Sequence, residues 1–456
     1  MKLNKDTSYL IVIFSSIILI FLDAYEIFSI PISWIGMSLL LALSLIEYRN
    51  LFTKNTKDIL IITFLIVFIP QIIYIVFYEP TSSDLIYISL RIFNLISFFA
   101  VLFFTIYFLE NEKLDLFFKY TKYLIYFFSI VTIYIFIAQI FDLYEPLRNR
   151  SNTNMYRESE QSIFWLSEPH RAMGTFREPV FLVTFFFPIV LLFLYNINRK
   201  TLLVPVLSGI VLGLTRSNYM KLFCIIFLVF LLIQYFLKRK IKFEFLIFFS
   251  LIIIFSIFGV FECNLNPESV ECMEFEEDVQ NMNNSGEIKI DSNIDDPVVQ
   301  LGNDRLNVVK YFLTSVKFIN PGSFSNVNSD FQSYSSLKVN EEMYFSNRTL
   351  PKYLLQRYST KNFGTGNYSL VKYEMNVQNM FVFYTQAFGV IFPLFLFIFI
   401  FHFLITKKFN LNSLFLLLIV LFFFVSPIEE VNSFYGLIIG IAYNFLFKDR
   451  DIYEQV

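Results

Sequence analysis

The segment His170–Pro179 (HRAMGTFREP) sets Arg171, Arg177 and Glu178 at the head of an apolar run, FLVTFFFPIVLLFLYN. Charges at the mouth of a membrane span are costly to keep unless a partner or a polar ligand meets them there. The stretch 144–178 also holds Arg148, Arg150 and Arg157 and contains no lysine. Arginine in place of lysine suits planar, bidentate recognition of phosphate or carboxylate. For Arg148, Arg150 and Arg157 a solvated loop touching lipid headgroups is the alternative. Glu178 precedes Pro179, a residue favoured in the first turn of a helix. That puts its carboxylate near a helix N-terminus, where the dipole favours an anion, and two roles are open to it: general base, or clamp on an arginine.

Further polar residues stand in or beside apolar runs. Arg216 occupies the short turn Thr215-Arg216-Ser217-Asn218 and either binds a ligand or snorkels to headgroups. Arg91 lies within LIYISLRIFNLISFFAVLFF, with Asn94 one turn deeper. Burying such a charge costs about 2.5–3.5 kcal/mol, so Arg91 is expected to face a partner or a cavity. Arg305 and Arg357 are substrate-binding candidates in a long polar segment, and Gln378-Asn379 leads from it into the next apolar run. Cys263 and Cys272 are expected to form a small disulfide loop, with two free thiols as the alternative. The chain has two histidines, His170 and His402, and no Cys/His cluster with metal-ligand spacing, so neither a metal nor a cofactor is expected.

The elements that must position these residues are legible from composition. Of 456 residues, 56% are hydrophobic and 16% charged, with 61 Phe and 27 Tyr. A water-soluble fold of this length could not cover so much apolar surface. Runs approaching ~20 apolar residues make it an all-α polytopic membrane protein. Candidate spans are 7–22, 27–46, 59–78, 85–109, 123–143, 179–196, 201–214, 218–237, 243–261, 379–404, 411–425 and 432–447. They predict about twelve transmembrane helices. The start Met1–Lys5 has the charge of a signal peptide, but no small-residue cleavage site follows, so the first span is expected to be retained.

Charge fixes the expected sidedness. Connections holding Arg49, Lys54 and Lys57, then Lys113, Lys119 and Lys122, then Arg199 and Lys200, then Lys238–Lys240 and Lys242, then Lys407 and Lys408 alternate with acidic ones. The acidic connections carry Asp23 and Glu26, Glu79 and Asp84, and Glu429 and Glu430. Lysine and arginine gather on the cytoplasmic side, which places both termini in the cytoplasm. The domain organisation is then helices one to five in 1–143, an outer Arg-rich loop in 144–178 and helices six to nine in 179–261. A large extracytoplasmic domain follows in 262–378, and helices ten to twelve in 379–456. The net charge of −2 says nothing of nucleic acid, and no nucleic-acid partner is expected.

These features together resemble the bacterial O-antigen polymerases (Wzy-type) and the wider O-antigen polymerase and ligase superfamily. RAMGTFREPVFL looks like the family's R-x-x-G-x-F-x-E-P segment leading into a span, and GLTRSNYMKL resembles its Thr/Ser-Arg turn. The outer loops 144–178 and 262–378 match the paired functional loops of the polymerases. GTGNYSLVKYEMNVQNMFVFYTQAFGVIF is similar to the segment that closes the large loop. The likeness covers most of residues 120–405, by loose motifs. Where ligases carry His before the Asn, this chain has Gln378, which cannot act as a base and turns the reading toward polymerase.

The resemblance implies glycosyl transfer on the outer face of the bacterial cytoplasmic (inner) membrane, joining polyprenyl-pyrophosphate-linked oligosaccharides into O-antigen or capsule-type polysaccharide. Arg171 and Arg177 would stabilise the departing pyrophosphate, and Glu178, or His170, would take the acceptor proton. Arg91, Arg216, Arg305, Arg357, Gln378 and Asn379 would help bind substrate. Partners would be the lipid-linked glycan, membrane lipid, and the chain-length regulator and flippase proteins of such a pathway. An O-antigen ligase-like glycosyltransferase and a flippase or transporter of lipid-linked oligosaccharides are the alternatives. Against a transporter, no inverted repeat is visible.

Overall fold

The computed structural model describes residues 5–28, 30–47, 82–108, 112–141, 143, 171–196, 201–237, 242–257, 411–425 and 432–447. These residues form the helices α1 (Lys5–Phe21), α2 (Ile32–Ile46), α3 (Ser82–Phe108), α4 (Glu112–Ile140) and α5 (Pro179–Asn196). They continue with α6 (Leu203–Leu214), α7 (Asn218–Phe236), α8 (Phe243–Ile257), α9 (Leu411–Val425) and α10 (Ser433–Phe447). Three stretches, Lys113–Ala138, Pro179–Asn196 and Tyr219–Phe236, are long and apolar enough to cross a membrane, and six shorter apolar helices of 10–17 residues accompany them. The described residues are mostly helical, and their long apolar helices are those of a membrane protein. The expected spans 59–78 and 379–404 lie outside the described residues.

Two helix starts differ most from the sequence reading. The second span was expected from residue 27, but Glu26–Ile27 (β1) and Ile30–Pro31 (β2) pair as a short antiparallel hairpin, with Ile27 opposite Ile30. Pro31 lacks an N–H and precedes the first turn of α2, so the helix starts at Ile32. The fifth span was expected from residue 123, but α4 starts at Glu112 and runs for 29 residues. Hydropathy hides this start because Lys113, Lys119 and Lys122 interrupt the apolar run. Helical geometry tolerates them, and aromatic faces receive two of the ammonium groups: Lys113 Nζ lies 4.3 Å from the Phe108 ring and Lys122 Nζ 5.6 Å from that of Tyr126.

The chain divides into two compact units. The first comprises Met1–Leu51, Ala100–Asn284 and Asn432–Val456, and the second Phe52–Phe99 and Ser285–Val431. In the second unit the described elements are α3 up to Phe99 and α9, an apolar helix in which Phe415, Ile419, Phe422 and Phe423 are buried.

In the first unit α1 and α2 run antiparallel. Tyr9, early in α1, donates its phenol O–H to Glu47, just past α2. At the other end Ser33, early in α2, donates to Asp23, just past α1. The helices approach closely because Gly36 has no side chain: a Cβ there would lie 2.5 Å from the Ser16 carbonyl oxygen. The pair α6 and α8 uses the same device. A Cβ at Gly213 would lie 2.6 Å from the Phe255 Cβ, and one at Gly209 would lie 3.0 Å from the Phe248 carbonyl oxygen. Gly209 and Gly213 are spaced four apart on one face, the small-residue stripe that lets backbones touch where lipid supplies no hydrophobic drive.

The abundant phenylalanine forms the core. Phe21, fully buried at the end of α1, meets Phe128 of α4 with ring centroids 4.4 Å apart, Phe176 at 5.4 Å, Phe186 of α5 at 6.1 Å and Phe434 of α10 at 6.4 Å. One side chain thus ties four parts of the unit together two residues before Asp23. At the far end of α5, Lys242 Nζ donates to the Tyr195 carbonyl, 2.5 Å away, favourable both as a hydrogen bond and against the helix dipole. Burial pulls the Lys242 ammonium below the ordinary lysine range, and Glu244 partly offsets this.

Candidate functional site

Residues 171–178 form an ordered turn rather than a span, and backbone hydrogen bonds tie it to its neighbours. Ala172 N–H donates to the Leu214 carbonyl at 2.9 Å, and Phe176 N–H to the Met173 carbonyl at 3.1 Å. Ala24 N–H donates to the Thr175 carbonyl at 3.0 Å, while the Thr175 hydroxyl donates to the carbonyl of Phe21. Apolar members point inward: Ala172, Met173 and Phe176 are buried, with Met173 and Ala172 packed among Phe136 and Leu214. Phe176 stacks on Phe185 at 5.8 Å.

Gly174 makes the turn possible. Its φ of +57° lies in the left-handed region, and a Cβ there would fall 2.5 Å from Thr132 Oγ1. Gly174→Ala is therefore expected to destabilise the protein by about 1–3 kcal/mol, from left-handed strain together with overpacking against α4. The purified full chain should unfold at a lower temperature, and an unchanged midpoint would show that α4 yields at no cost.

Both arginines of the turn are held by side-chain hydrogen bonds. Arg171 donates from Nε to the Thr215 carbonyl at 2.9 Å, linking the turn to the α6–α7 connection. Arg177 donates from Nε to Asp23 Oδ2 at 2.9 Å, an ion pair in which Asp23 is almost wholly buried. The Arg177 guanidinium carbon also sits 4.6 Å from the Phe181 ring centroid. Asp23 uses its other oxygen, Oδ1, to accept from the Ser33 hydroxyl at 2.9 Å. Glu178 is half-buried at the start of α5, and its carbonyl accepts from the N–H groups of Phe181 and Leu182 at 3.1 and 3.3 Å.

The α6–α7 connection completes this end of the unit. Arg216 adopts φ +50°, a conformation that costs a non-glycine residue and that clusters at functional sites. Its N–H donates to the Gly213 carbonyl at 3.1 Å, and half-burial lowers the affinity of the guanidinium for its proton. Thr215 and Ser217 on either side are buried. The Thr215 hydroxyl donates to Leu212 O at 2.6 Å, and Ser217 Oγ has no hydrogen-bond partner among the described residues.

Arg171, Arg177, Glu178 and Arg216 therefore belong to one end of the same unit, linked through Thr215 and Asp23. Lys242 and the Tyr9–Glu47 contact mark the opposite ends of α5 and of the α1–α2 pair. Arg91 lies on α3 within the second unit. His170, Cys263, Cys272, Arg305, Arg357, Gln378 and Asn379 lie outside the described residues. Cys224 is a buried free thiol. Among the described residues no group of three or more His, Cys, Asp or Glu could hold a metal ion.

Sequence reasoning missed Asp23 as the partner of Arg177 and assigned any arginine clamp to Glu178. Asp23 registered only as an acidic residue of an outer connection. An acidic residue on the same side as an arginine-rich loop was the available signal. No family model, curated protein or solved structure matches this chain.

Proposed function

We propose that this chain is a polymerase of polyprenyl-pyrophosphate-linked oligosaccharides in a bacterial cytoplasmic membrane, with about twelve spans and both termini cytoplasmic. The observation that carries this reading is the joining of Arg171, Arg177, Glu178 and Arg216 at one end of a membrane helix bundle. Guanidinium groups at such a place suit a diphosphate whose lipid tail stays in the bilayer.

In the proposed reaction the acceptor sugar hydroxyl attacks the anomeric carbon of the donor glycan. The new carbon–oxygen bond forms as the bond to the pyrophosphate oxygen breaks, and the polyprenyl pyrophosphate leaves with the electron pair. Arg171 and Arg177, aided by Arg216, offset the charge that develops on the leaving group. Glu178 takes the proton of the acceptor hydroxyl. Lipid-linked glycan, membrane lipid, and flippase and chain-length regulator proteins are the proposed partners.

The surface glycan of cells lacking this protein tests the reading. Loss of polymer with single repeat units still attached is expected. Loss of every attached unit would point instead to a ligase or a flippase, and an unchanged ladder would refute all three.

A further inference from the structure

Arg177 is held more elaborately than docking of its segment requires. The Ala24 N–H to Thr175 carbonyl bond and the Thr175 hydroxyl to Phe21 carbonyl bond already pin residues 171–178 to the end of α1. Phe176 adds ring contacts to Phe21 and Phe185. A buried ion pair adds little net stability to such a joint, because desolvating both charges offsets their attraction. Its distinct effect is on orientation. Asp23 Oδ2 engages the Nε edge of Arg177 while the Phe181 ring lies against the guanidinium, so one contact restrains the plane and the other its rotation. The carboxylate is restrained in turn, since Oδ1 accepts from Ser33 at 2.9 Å.

We propose that Asp23, itself held by Ser33, is the positioning residue that fixes the Arg177 guanidinium for a diphosphate-bearing substrate. This rests on the polymerase reading above. Asp23 touches no reacting atom in this scheme and acts through Arg177. Its place in the turn between α1 and α2 makes the first two helices part of the reaction apparatus, outside the loops that the motifs identify.

The test uses the full chain in lipid vesicles with polyprenyl-pyrophosphate-linked repeat units, and reads kcat and KM per mole of folded protein. Misplacing a positioned group by about 1 Å costs on the order of 100-fold in rate. Asp23→Asn should therefore lower kcat by about 10- to 100-fold while KM stays within about threefold. In an Arg177→Lys background the same change should cost no more than about twofold further, because the two act as one unit. Ser33→Ala, a milder variant that leaves the ion pair in place, should lower kcat by about three- to tenfold.

Normal kcat in both Asp23→Asn and Ser33→Ala would overturn the positioning role, as would fully additive losses in the double variant. If Asp23→Asn fails to insert, Ser33→Ala alone decides between the outcomes. A wild-type chain that is folded but forms no glycosidic bond would instead defeat the polymerase reading, and this inference with it.

Discussion

Arg177→Ala should abolish polymer formation and also weaken the fold. Removing the guanidinium leaves Asp23 buried without its counter-charge, a defect that typically costs about 3–5 kcal/mol. Lower protein level alone would therefore be ambiguous. Asp23→Asn in the same background removes the orphaned charge and should restore much of the protein level. It should not restore polymer, because the proposed donor to the pyrophosphate is still missing, and loss of one such donor costs about 10²–10³ in turnover. Arg177→Lys should retain the charge and recover little activity, since an ammonium lacks the planar fork. Polymer at wild-type levels in Arg177→Ala with Asp23→Asn would remove Arg177 from the reaction.

The second large effect concerns Glu178. As a general base it would contribute about 10²–10⁴-fold, so Glu178→Gln should lose turnover on that scale while still binding lipid-linked substrate. A role confined to hydrogen bonding predicts a mild phenotype, because glutamine keeps an acceptor oxygen and the length of the side chain. The backbone role is insulated from the substitution: the carbonyl of residue 178 continues to accept from Phe181 and Leu182. Arg177 meets Asp23 through Nε, so holding Arg177 does not fall to Glu178 alone. Near-normal turnover in Glu178→Gln would leave the acceptor proton to another group.

Much of the helical framework was legible in the apolar runs, because membrane-crossing segments must be continuous in sequence. The span 179–196 coincides with α5, and the expected short span 201–214 corresponds to the 12-residue α6. Hydropathy is blind where helix and membrane boundaries part company, as at Glu112, or where Pro31 and a hairpin delay a helix inside an apolar run. The arginines of 171–178 stood out because charge beside an apolar run is rare and expensive. Their partners did not, since Asp23 and Arg177 are 154 residues apart and hydropathy carries no pairing information. Likewise the left-handed Arg216 has no local marker, whereas Gly174 is a residue type that permits the φ found there.

Reconstitution tests the central claim most directly. The purified full chain, inserted into vesicles carrying only polyprenyl-pyrophosphate-linked repeat units, should convert them into a ladder of longer lipid-linked glycans. Each bond formed should release one polyprenyl pyrophosphate. Correctly folded protein that leaves the repeat units at single length, with no pyrophosphate carrier released, would contradict the account.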